Sequence, residues 1–142
     1  MISGWGRGLR SFIGDLDPAS LDLSKATKLG DVTFRSGSGR VEWITTALET
    51  ITPKHRDFRH IKIFVPSDLT GFDVGDDIRQ YIGETVSKEW LDLDRLLVQF
   101  WESRSIRPKV GCGLRGEKDQ NTVYCIGCLL PEITERGIID LI

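Results

Sequence analysis

The chain has 142 residues, with 19 lysines and arginines against 21 aspartates and glutamates, for a formal charge of −2. That length suits one domain and supports a core without disulfides or a metal, since chains near 150 residues bury roughly 70% of their unfolded surface. The charge gives no global field for nucleic acid or an anionic membrane. Three cysteines, Cys112, Cys125 and Cys128, argue against a secreted disulfide scaffold.

No stretch approaches the roughly 20 apolar residues that span a bilayer, and the N-terminus has no apolar run of signal-peptide length. A cytoplasmic or nuclear location is therefore expected, with no membrane partner. Residues 1–19 hold Gly4, Gly6, Gly8 and Gly14 and read as a flexible lead-in. A weak strand signal follows at Ser20–Leu23. A clearer one covers Leu29–Phe34, where Val32 and Phe34 alternate with polar neighbours.

The loop from Ser36 to Gly39 leads into a helix, with Ser38 as a candidate cap. Its stripe is Val41, Ile44, Leu48 and Ile51, and Thr52-Pro53 ends it. The second strand is His60–Val65, β-branched and aromatic, stopped by Pro66. Asp73, Asp76 and Asp77 then precede a stripe of Ile78, Tyr81, Ile82, Thr85 and Val86, where a helix dipole favours negative charge. A further stripe runs through Leu93, Leu96, Leu97, Phe100 and Trp101. Gly83 and the segment Ser87–Trp90 favour two helices over one.

Arg107–Cys112 is the next strand, weakened by Pro108 and Gly111. A helical pattern covers Thr122–Arg136, with Asn121 suited to the N-cap and Gly137 to C′. Pro131 within it forces a kink or a restart. Gly137–Ile142 supplies the last strand.

This alternation predicts an α/β fold, a parallel sheet with crossover helices, in a single domain over 20–142. Val32 to Ile61 and Val110 to Ile139 are both 29 residues apart. A period of about 20–29 is that of leucine-rich repeats, so the expected architecture is a short parallel strand–helix stack, a leucine-rich-repeat-like solenoid fragment.

The runs LGDVTF at 29–34, VEWITTAL at 41–48, WLDLDRLLVQF at 90–100 and LLPEITERG at 129–137 resemble the C-terminal repeat region of fungal F-box-like, leucine-rich-repeat-like proteins of the mushroom type. The resemblance spans roughly residues 20–142. It implies repeats that form an interaction surface. An F-box would link such a protein to a ubiquitin ligase, but Met1–Ser20 is too short and glycine-rich to be one, so adaptor docking carries over to no residue here. The Asn that usually follows the strand in standard leucine-rich repeats is also missing.

Candidate chemistry is sparse. Cys125 and Cys128 form a C-x-x-C, which with Cys112 admits a zinc or redox site. Zinc needs a fourth ligand, and His55 and His60 flank a different strand. The competing reading is that these cysteines are small apolar core residues. The basic segment Pro53–His60 contains Asp57 and reads as a solvated loop. His55 and His60 have no nucleophile nearby and read as surface or strand-edge residues. The loop Gly37–Arg40 lacks the spacing of a phosphate cradle.

Trp43 lies off the apolar stripe of its helix. Exposed, it would be a partner contact; otherwise it packs against the neighbouring unit. The expectation is a non-catalytic interaction or scaffold module with no cofactor, no metal and no nucleic acid, its partner an unidentified protein. The ends of so short a stack are capped, continued by further repeats, or used in self-association. The rival is a redox or zinc-binding protein centred on Cys125 and Cys128.

Overall fold

The computed structural model describes residues 9–13, 22–69, 72–112 and 120–142. Five strands form one sheet: β1 (Leu9–Ile13), β2 (Asp31–Arg35), β3 (His60–Val65), β4 (Lys109–Cys112) and β5 (Asp140–Leu141). They lie side by side in chain order, each neighbouring pair parallel. The crossovers carry α1 (Glu42–Glu49), α2 (Ile78–Arg104), and the pair α3 (Gln120–Leu129) and α4 (Pro131–Glu135).

Crossovers between parallel strands are right-handed in nearly all cases. When each new strand adds on the same side as the last, one hand places every crossover on the same face. Burial agrees. Val32, Phe34, Ile61, Ile63, Val65 and Val110 are buried, while Asp31, Thr33, Arg35, His60, Lys62 and Phe64 between them are not. A sheet covered on both faces would have apolar residues throughout its strands.

The core is the layer between sheet and helices. Phe34 stands at one end of it, stacked on Phe12 of β1 and edge-on to Trp43 of α1, both at 5.6 Å between ring centres. At the other end Leu93, Leu97, Ile126, Leu130 and Ile133 are fully or nearly fully buried.

The structure revises several expectations. Leu9–Ile13 lies in the glycine-rich lead-in yet forms β1, so the sheet begins before residue 20. Asp22 and Leu23 lead into a turn at Ser24 and Lys25 rather than forming a strand, and Ser20 and Leu21 lie outside the described residues. The interval Val32 to Ile61 is a true register pair. Val110, however, pairs with Leu141 rather than Ile139, so the second matched interval slips by two residues. Asn121 sits inside α3, which starts at Gln120. Pro131 restarts the chain as the first position of α4, where its missing N–H costs nothing, and Gly137 takes the positive φ of a C′ residue.

Between Ile78 and Arg104 the helical path breaks at Gly83, which has φ 86° and ψ 169°. Only glycine adopts this region without strain. A Cβ there would meet no atom within 4 Å, so a substitution tests the backbone alone. Gly83→Ala is expected to lower stability by about 1.5 kcal/mol. Urea unfolding that shows no loss would mean the break is not held in place by the surrounding structure.

Candidate functional site

The face of the sheet opposite the helices collects side chains into cross-strand rows. In the first row Asp31 pairs with His60, whose Nε2 lies 4.0 Å from Asp31 Oδ1. The second row is Ser11, Thr33, Lys62, Lys109 and Asp140, each in register with the next. The third brings Arg35 beside Phe64 and Phe64 beside Gly111.

In the second row two lysines stand directly across from each other, although like charges so placed repel. Among the described residues, neither lysine is ion-paired. Asp140, next along, is held by Arg107 at 3.1 Å; the same guanidinium also donates to Gly137 O. In the third row the Arg35 guanidinium lies 4.1 Å above the Phe64 ring, a cation–π contact. Gly111 leaves a gap there. A Cβ on it would stand 3.2 Å from the Phe64 ring and 3.1 Å from the Ile142 side chain, so those two groups close over the glycine. A shallow depression of about 160 Å³ lies over Asp31, Thr33, His60, Lys62 and Lys109.

The helical layer that backs this face is tied together by two buried carboxylates on α2. Glu89 accepts hydrogen bonds from the Arg40 guanidinium, from Val41 N at 3.0 Å and from Glu42 N at 3.2 Å. It therefore supplies the cap of α1 from 47 and 48 residues away. Ser38 is not at the N-cap, a position occupied by Val41. Burial pushes the Glu89 carboxyl up, but the bonds from Arg40, Val41 and Glu42 outweigh it and hold it below its ordinary value. Asp94 caps α4 by accepting from Glu132 N at 2.8 Å and Ile133 N at 3.0 Å. Here burial dominates those two bonds, and the carboxyl titrates above its ordinary value. Between the two carboxylates in sequence, buried Trp90 donates from Nε1 to Gly39 O at 2.9 Å.

The residues singled out in the sequence fall elsewhere. Trp43 is 3% exposed and donates its Nε1 to Arg40 O, so it offers no surface to a partner. Cys125 is buried in the second turn of α3, donating to Phe72 O, rather than at the helix N-terminus where a thiol is activated. Cys128, one turn on, is half-buried, and Arg79 donates to its carbonyl. Tyr124 adds a bond to Asp76 O, so this stretch of α3 fastens the start of α2. The side chain of Cys112 lies outside the described residues. Among the described residues, no group of three or more His, Cys, Asp or Glu could hold a metal ion.

His55, expected at the surface, is fully buried. Its Nδ1 accepts from Thr52 N, so Nε2 carries the proton and donates to Leu23 O at 2.7 Å. It is an internal brace for the basic loop, whose Lys54, Arg56 and Arg59 point outward around buried His55 and Phe58. In the loop before α1, Gly39 N donates to Ser36 Oγ, so that N–H is already used within the loop. Among the described residues, no helix is long and apolar enough to cross a membrane.

Sequence reasoning passed over Arg35, Lys62, Phe64 and Lys109. The signal for Arg35 and Lys62 was the polar half of the alternation in β2 and β3; Phe64, inside an apolar run, gave none. Lys109 joins them only through the β3–β4 register. No family model, no curated protein and no solved structure matches this chain.

Proposed function

We propose that this chain is a non-catalytic interaction module that presents the open face of its sheet to a partner protein. One observation carries the reading: five parallel strands run in chain order with polar and basic side chains in register on the face away from the crossovers. That order is also what a leucine-rich-repeat-like stack would have. It fits the sequence resemblance to the repeat region of fungal F-box-like proteins. The units are uneven, with a long helix between β3 and β4 and shorter ones between β2 and β3 and between β4 and β5. We therefore read the chain as a loose member of that architecture, working in the cytoplasm or nucleus.

The test uses a photo-crosslinking residue at one of two positions. Thr33 lies on the open face, and Val123 is exposed on α3. In cells that express the protein, the Thr33 probe is expected to give a discrete adduct that the Val123 probe does not. Identical patterns from both positions, or no adduct from Thr33, would overturn the proposal.

A further inference from the structure

We infer that the open sheet face takes an acidic segment of its partner, with carboxylates on Lys62 and Lys109 and an apolar or aromatic side chain on the Phe64–Ile142 patch. This rests on the docking reading above and adds the chemistry of the partner.

The argument is one of charge. The whole chain carries −2. Among the described residues, the open face and its rim carry the opposite sign: Arg35, Lys62, Arg107 and Lys109 against Asp31 and Asp140. The two carboxylates are already engaged or flanked, Asp140 by Arg107 and Asp31 by His60. Among the described residues, the cations of this face left without a carboxylate are Lys62, Lys109 and Arg35.

Neighbouring strands stand about 4.8 Å apart and residues two apart along a strand about 6.6 Å. The three cations therefore lie within roughly one Debye length of each other at moderate salt and act together on a single ligand. Like charges placed directly across a sheet are unfavourable, and an acidic ligand would relieve that repulsion. Phe64 and Ile142 next to them add apolar surface, which suits an acidic peptide with one apolar anchor better than a small anion. Extended peptide repeats its side chains on one side at about 6.6 Å. Carboxylates at alternate positions would match the spacing along the strands between the row of the two lysines and the row of Arg35.

The probe is a fluorescent peptide with glutamates at alternate positions and one tryptophan. Its controls are the same peptide with glutamines and a single-stranded oligonucleotide of equal charge. Fluorescence anisotropy is expected to show binding of the acidic peptide only. The affinity should fall about tenfold or more in the double variant Lys62→Glu with Lys109→Glu, and likewise from about 50 to about 300 mM salt. The pair Lys62→Gln and Lys109→Gln should fall in between, with a urea midpoint no lower than the parent's, since both side chains reach solvent and their mutual repulsion is removed.

Failure of the acidic peptide to bind, or binding indifferent to charge reversal, would overturn the inference. Equal or tighter binding of the oligonucleotide would assign the face to nucleic acid and overturn it too. Capture of a partner through Thr33 without acidic-peptide binding would leave the docking reading standing and remove only the acidic class.

Discussion

Replacing Glu89 by alanine is expected to cost about 3 kcal/mol of stability, read as a drop of roughly 10 °C in Tm for a chain of this size. Three losses combine. The first turn of α1 loses its acceptor for Val41 N and Glu42 N, Arg40 loses its carboxylate, and α1 loses its tie to α2. Glu89 is 7% exposed, so water cannot replace it without repacking. The Arg40 side chain is about half exposed, which keeps the cost at the low end for breaking a buried pair.

The variant Glu89→Gln isolates the charge. The folded protein holds this carboxyl below its ordinary value, so the ion's contribution is full above the usual glutamate range, about 4.3, and fades as pH falls through the folded value. The stability gap between the parent and Glu89→Gln should therefore narrow in acid. A loss below about 1 kcal/mol for Glu89→Ala would show that α1 does not depend on its distant cap.

That cap also shows where sequence reading stops. The stripe Val41, Ile44 and Leu48 marks α1 correctly, because burial on one face of a helix has a period. Its cap is invisible from within, since the acceptor comes from a residue 47 positions on, and the local candidate, Ser38, is not at the N-cap. β3 was legible to the residue because His60–Val65 is rich in β-branched and aromatic residues and ends at a proline. β1 was not. Leu9–Ile13 has no alternation to read and sits among glycines, and its place is fixed by the β2 ladder and by Phe12 on Phe34. The wheel position of Trp43 was right, and of its two readings, exposed contact or internal packing, the structure takes packing. Off the stripe at the first turn, it reaches β2 and packs on Phe34.

The same limit applies to the site. Cys125 and Cys128 drew notice because a spaced pair of thiols is a local pattern. The structure uses their segment to fasten α3 to the chain entering α2. His55 resembled a loop histidine because nothing within the loop reveals that Leu23 supplies its acceptor. The rows on the open face are non-local by nature. Lys62 and Lys109 are 47 residues apart and share no motif, yet parallel pairing sets them side by side. Alternation tells which residues leave the core, and only the register tells which of them meet.

Replacing Asp94 by alanine should cost about 2–3 kcal/mol, because Glu132 N and Ile133 N lose a charged acceptor at a site that water does not reach. Helix α4 has five residues and no side-chain cap of its own. It should therefore unfold locally first, and amide exchange at Ile133 should quicken ahead of exchange in β3. Asp94→Asn behaves differently. It keeps one acceptor oxygen and sheds the charge that burial disfavours, so its loss should be smaller.

The pH dependence gives the sign. Burial raises the Asp94 carboxyl above its ordinary value, so the folded state binds the proton more readily than the unfolded chain. Its ionisation then weakens the fold as pH rises through the folded value, and the penalty is relieved as pH falls towards about 3.9. The parent should thus gain on Asp94→Asn in acid, opposite in direction to the Glu89 series. Urea midpoints for both asparagine and glutamine variants across the same pH range test the two together. Parallel rather than opposed trends would mean that the two carboxylates do not differ in the balance of burial and hydrogen bonding that separates them here.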